Sequence, residues 1–216
     1  GERARRVDAM NGQTQVLSAS SSGRRDSHAP RRARHTLALD RIAGPDGLFA
    51  RVKPHFPAAG ITRVADVTHL DRIGIPVALA VRPNSRSLSV SQGKGVRREQ
   101  AVISAVMEAL ELAAAERLPA GLRRATLQAM DRRDMPDLQS STRCRLDRLR
   151  RDEEILWTVG YELGSGRILQ VPWSLVGIDY RDRPDGFHIA FQVSTDGLAS
   201  GGRDDEAILH GLCELI

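Results

Sequence analysis

From Ser87 the chain alternates as a strand, breaks at Gln92-Gly93-Lys94-Gly95, and from about Arg97 to Glu116 repeats apolar residues at helical spacing. Val102, Ile103, Val106, Ala109, Leu110 and Ala113 fall on one side of that helix, and Arg97, Gln100, Ser104, Glu108 and Glu111 on the other. The pattern predicts an amphipathic helix whose polar stripe stacks Ser104, Glu108 and Glu111 at i, i+4 and i+7. Upstream, Ile61 to Val67 and Pro76 to Pro83 read as two strands joined by the short connection Leu70 to Gly74, and a weak helix around Asp46 to Val52 follows the Gly44-Pro45 turn. Downstream, the pattern predicts a helix over about Ala120 to Asp131 and an exposed, ion-paired helix from Arg143 to Glu154. Strands follow at Leu156 to Leu163, Arg167 to Val171 and His188 to Thr195, with Gly164-Ser165-Gly166 as a hairpin turn between the first two. A last helix, Asp204 to Ile216, opens after Gly201-Gly202 with three acids in its first turn. Three close strands feeding a long helix predict a sheet with that helix packed on it, in a mixed α/β fold of the α+β kind.

Composition adds a boundary to this picture. The chain has 216 residues, 41% of them hydrophobic, enough for a sizeable core. Its formal charge of +5 comes entirely from residues 1–35, where eight arginines face three acids, so residues 36–216 are neutral. That leader is rich in Ser, Arg and Gly without an apolar period and is read as disordered, the folded domain beginning at residue 36. Nucleic-acid binding through the leader is therefore the weakest functional reading, and nothing predicts a membrane span or a signal peptide. Cys144 and Cys213 are the only cysteines, far too few for a disulfide framework, which fits a reducing cytoplasm. The chain closes on the apolar helical run Leu212-Cys213-Glu214-Leu215-Ile216 without a stop signal, which predicts a fragment.

Lys53 and Lys94 are the only lysines among 32 basic residues, so Lys94 between two glycines stands out. The segment is not a Walker A loop: Leu88 occupies the first glycine position and Gly95 follows the lysine where Ser or Thr belongs. A glycine-flanked lysine ahead of a helix can hold phosphate with backbone N–H groups and a point charge, though an ordinary turn is the more economical reading. The same balance applies to Glu108 and Glu111. A solvated stripe explains them, and so does Mg²⁺, which takes one or two carboxylates and fills its shell with phosphate oxygens. In the last helix Glu206, His210 and Glu214 share one face at i, i+4 and i+8, but the spacing is not HExxH, and a satisfied surface histidine is the simpler account.

Taken together, Ser91-Gln92-Gly93-Lys94-Gly95 with Ser104-x-x-x-Glu108-x-x-Glu111, then Ser194-Thr195-Asp196-Gly197-Leu198-Ala199-Ser200-Gly201 and Glu206 to Glu214, resemble the YcaO family. The upstream Gly60 to Val67 and Arg72 to Pro76 runs, with Arg82-Pro83-Asn84, resemble the branch found beside TfuA-type partners. The resemblance covers about residues 40–216 and implies the N-terminal part of a YcaO domain, incomplete at its C-terminus. It also implies an ATP- and Mg²⁺-dependent enzyme that phosphorylates a peptide-backbone amide oxygen in a ribosomally made peptide or protein. A substrate side chain or an external sulfide then attacks, giving an azoline or a thioamide. A TfuA-like or leader-binding partner is implied as well. By position, Glu108, Glu111 and Glu214 resemble the family's Mg²⁺ ligands and Ser104 its helix serine. Lys94, Asp196 and Glu206 fall among its nucleotide contacts, and Arg41 aligns with a basic phosphate contact.

Several positions depart from the family. Asp196 stands where Asn is usual, Leu112 follows Glu111 where Arg is common, and Leu48 occupies the place of an expected hydroxyl residue. The second metal motif, ExxE followed by Arg, is reached only as far as Glu214. These departures sustain a rival expectation, a non-catalytic accessory or binding protein with a degenerate or truncated nucleotide site.

Overall fold

A computed structural model describes residues 44–182 and 184–216. Arg41 and the leader expected to be disordered lie outside the described residues. The described residues separate into two compact units, one built from 44–114 together with 196–216, the other from 115–195.

The first unit begins with α1 (Pro45–Val52), whose proline takes the first turn, where a missing N–H costs nothing. A second short helix, α2 (Phe56–Ala59), stops at Gly60, left-handed at φ 72°, with Gly60 and Ile61 N–H groups bonded back to Phe56 O. Next come β1 (Arg63–Asp66), β2 (Val77–Val81) and β3 (Val90–Lys94), an antiparallel sheet in the order β1-β2-β3. The buried Arg82 guanidinium donates to Ala59 O at 2.9 Å and ties the end of α2 to the end of β2. Helix α3 (Arg98–Ala115) packs on the sheet, and α4 (Asp204–Cys213) completes the unit.

The period of two in the strands decides which face α3 takes. Ala78 and Ala80 on β2 and Ser91 and Gly93 on β3 are buried, and α3 offers Ala101 and Ala105 in return. Small residues on both sides bring helix and strand into backbone contact. A Cβ at Gly93 would lie 2.1 Å from Ala101 O and from Ala105 N. This corrects the expected turn at Gln92–Gly95, because Gly93 and Lys94 are the last two residues of β3. It also corrects the amphipathic surface helix. Ile103, Val106, Met107, Ala109, Leu110, Leu112 and Ala113 are all buried, so α3 is apolar around most of its girth beyond its first turn, and Ser104, Glu108 and Glu111 are half-buried.

The second unit is organised by β4 (Arg123–Thr126), β5 (Glu154–Tyr161) and β6 (Ile168–Pro172), antiparallel in that order. The fully buried Trp157 centres its core and donates its indole N–H to Ala125 O at 3.1 Å. The β5–β6 hairpin turns through Gly164-Ser165-Gly166 as expected. Three expectations fail here. The helix over 120–131 is instead β4 followed by short 3₁₀ turns, because Gly121 is left-handed at φ 83° and Ala125 is drawn into the core. The charged helix over 143–154 is irregular, with its ion pairs Arg145–Asp147 and Arg150–Asp152 two residues apart, a turn spacing, and Leu146 and Leu149 packed on the core. The strand at 188–195 shrinks to one bridge between Cys144 and Phe191. No helix among the described residues is long and apolar enough to cross a membrane.

Candidate functional site

Of the seven candidate residues within the described chain, Lys94 ends β3, Ser104, Glu108 and Glu111 line α3, Asp196 opens the loop into α4, and Glu206 and Glu214 stand on α4 and at its C-terminal cap, all in the first unit. The loop at 196–203 is tied to both neighbours. Ser200 Oγ donates to Met107 O on α3 at 3.5 Å, and Arg51 Nη2 at the end of α1 donates to Gly202 O at 3.2 Å. Glycines let it lie flat on α4: Gly197 is left-handed at φ 76°, and a Cβ at Gly211 would meet Gly197 O at 2.7 Å.

On α3, Ser104, Glu108 and Glu111 are half-buried one turn apart, as the period requires. Glu108 accepts a hydrogen bond from the backbone N–H of Gln92, and burial nonetheless pushes its carboxyl pKa above the ordinary value. Glu111 is also engaged. On α4, Glu206 is 5% exposed: Oε2 accepts from Gly202 N–H at 2.7 Å, while Oε1 is equally buried and has no hydrogen-bond partner. An unmet carboxylate oxygen at that depth costs about 1–3 kcal/mol or more, and a cation or a donor from a ligand would relieve it. The hydroxyl of Ser91, buried on β3, is unmet in the same way.

Other candidates sit apart. Lys94 alternates with Gly93, so its side chain lies on the face of the sheet opposite α3, exposed. Backbone of α3 fills the space over Gly93, so no phosphate cradle exists there. Asp196 is exposed at the start of the loop and Glu214 is exposed at the end of α4. His210 Nδ1 lies 3.2 Å from Ser200 O, the satisfied histidine its spacing predicts. Among the described residues no group of three or more His, Cys, Asp or Glu side chains converges as a metal site. The donors present fit magnesium and a nucleotide in kind: oxygen ligands, half-buried on α3 and deeply buried on α4, where Glu206 Oε1 has no protein partner. Sequence reasoning missed Ser91, the Gln92 N–H and Arg51. Strand phase would have placed the first two, whereas no local signal announces Arg51.

This span matches a known family model. Residues 92–216 fit the model of YcaO cyclodehydratase, ATP- and Mg²⁺-binding. A protein of the tfuA 3′ region of Rhizobium leguminosarum bv. trifolii is 46% identical over 203 residues, covering 93% of this chain and 44% of that protein. The Mycobacterium tuberculosis protein Rv1375 is 40% identical over 183 residues, covering 84% of this chain and 42% of that protein. Among solved structures, YcaO from Methanopyrus kandleri bound with AMPPCP and Mg²⁺ superposes with a TM-score of 0.60 at 25% identity, over 81% of this chain and 42% of that one. A heterocyclase in complex with substrate and cofactor gives 0.61 at 21% identity, over 82% of this chain and 27% of that one, a likeness of fold alone. The chain belongs to the YcaO family. It spans less than half the length of the curated relatives it matches, and its fold is the mixed α and β arrangement expected of that family.

Proposed function

We propose that the whole protein to which this chain belongs uses ATP and Mg²⁺ to activate a backbone amide of a peptide or protein. The amide oxygen attacks the γ-phosphorus and ADP leaves. A Cys, Ser or Thr side chain of the substrate, or an external sulfide, then attacks the carbon and phosphate carries away the oxygen, giving an azoline or a thioamide. Phosphate is a far better leaving group than hydroxide, and spread phosphoryl charge is stabilised chiefly by cations and positioning.

In this reading Glu108 and Glu111 supply magnesium ligands from α3, with Glu214 joining from α4. Ser104, Glu206, Asp196 and Arg41 contact the nucleotide side, while Lys94, on the face of the sheet opposite α3, stands apart from it. The observation that carries it is the buried Oε1 of Glu206 on α4, a carboxylate oxygen without a partner, whose other oxygen holds Gly202 in the loop that Ser200 ties to the helix of Glu108 and Glu111. A TfuA-like or leader-binding protein is the proposed partner, supported by the relative named for the tfuA 3′ region. Incubating the full-length protein with Mg·ATP and peptides encoded nearby is expected to release ADP and phosphate and to change a peptide's mass by loss of water or exchange of oxygen for sulfur. A folded full-length protein that turns over no nucleotide with any of them overturns this function and leaves an accessory role.

A further inference from the structure

We propose that Arg51 of α1 is a positioning residue for Mg·ATP: it holds Gly202, and through Gly202 it keeps the Glu206 carboxylate turned so that Oε1 is left for the ligand. This rests on the ATP- and Mg²⁺-dependent function above and adds how its most deeply buried candidate is held in place. The support begins in the core. Leu48 is buried in the cluster that α3 shares, and Phe49 and Val52 pack against it, so one face of α1 is anchored. Arg51, in the last turn of that helix, therefore extends from a fixed base. Its Nη2 donates to Gly202 O at 3.2 Å, across 151 positions of sequence.

Gly202 is buried, so both of its backbone groups require partners. Arg51 meets the carbonyl, and Glu206 Oε2 accepts from the N–H at 2.7 Å. The residue before it lies flat on α4, where a Cβ at Gly201 would stand 2.6 Å from Ala207 N. A glycine has no side chain to fix its orientation, so the two polar contacts set it. A carboxylate bonded through one oxygen can still pivot on that bond. A buried oxygen without a donor favours such a turn, because leaving an acceptor unmet is unfavourable. Holding Gly202 from its carbonyl side fixes the pivot. The donor is a charged guanidinium, and such bonds are stronger than neutral ones. Arg51 thus orients Glu206 without touching it.

Two measurements on the full-length protein test this. Arg51→Met keeps the aliphatic stem and removes the donor. It is expected to raise the Mg·ATP dissociation constant about tenfold in the native background and less than about twofold in a Glu206→Gln background, where the oriented charge is already gone. A rise of equal size in both backgrounds, or none in the native one, overturns the relay. Hydrogen exchange at Gly202 supplies a readout that needs no ligand. Its amide is expected to be protected in the native protein and to exchange about tenfold faster in Arg51→Met. Unchanged protection in the variant overturns the relay. So does a Gly202 amide that exchanges in the native protein at the rate of an open loop, and because that reading needs no substitution, an Arg51→Met protein that fails to fold does not block the decision. A native protein that binds no Mg·ATP removes the function and the relay together, whereas failure of the relay alone leaves native Mg·ATP binding intact.

Discussion

Glu206 holds two demands in one carboxylate, an acceptor for Gly202 N–H on Oε2 and an unmet oxygen on Oε1. Two substitutions separate them. Glu206→Gln keeps an acceptor for Gly202 and removes the charge, so stability should change by less than about 1 kcal/mol while the Mg·ATP dissociation constant rises at least about tenfold. Glu206→Ala strands the Gly202 N–H as well, and denaturant titration should show a further loss of about 1–3 kcal/mol. Glu108 poses the opposite balance. Burial raises its pKa, so the folded protein favours the protonated form, and its ionised form costs stability as pH rises through the raised value. Glu108→Gln should therefore raise the melting temperature at neutral pH without magnesium, by the equivalent of less than about 1 kcal/mol for so exposed a group, while weakening Mg·ATP binding.

At the level of elements, the contact of β3 with α3 depends on one missing methyl group. Gly93→Ala places a Cβ 2.1 Å from two backbone atoms of α3, so the helix must lift, and urea titration should show a loss of about 3 kcal/mol or more. Gly164→Ala, in the open β5–β6 turn, meets nothing within 4 Å and should be near neutral. The end of β1 carries a pH-dependent contact. Asp66 accepts from Thr68 N–H and Oγ1 and pairs with Arg98 at the start of α3, and the Thr68 bonds hold its pKa below the ordinary carboxylate value. A depressed folded pKa contributes stability above the unfolded value and loses it as pH falls through the folded one. Thr68→Ala should accordingly flatten the stability profile in that acidic window and leave neutral pH less affected.

The same elements explain what was legible in the sequence. Alternation gave β1 and the β5–β6 hairpin, a short apolar run gave β2, and the 3.6-residue period gave α3 and α4, because in each the local pattern and the burial agree. At Gln92–Gly95 two glycines imitate a turn, when Gly93 is required by a helix lying on the strand, a long-range cause that local chemistry cannot express. The stretch 120–154 failed for a related reason. Its arginines and acids satisfy helical spacing, but the burial of Ala125, Leu146 and Leu149 on the core around Trp157 selects extended and turning backbone. Of the candidate site, the glutamates of α3 and Glu206 were singled out by the family resemblance, since their spacing alone is met equally by a solvated stripe. The unmet Oε1 and the Gln92 N–H were not, since both depend on how a loop and an edge are packed.

For the molecule as a whole, the division into two units also divides its optical reporters. Both tryptophans, Trp157 and Trp173, belong to residues 115–195, whereas the four α-helices among the described residues, apart from Ala115, belong to the unit that carries the candidate site. Circular dichroism at helical wavelengths therefore follows one half of the architecture and indole emission the other, without any label. Saturating Mg·ATP is expected to raise the dichroism midpoint by several degrees and the emission midpoint by less. Equal shifts in a thermal melt would instead show that the two units unfold as one.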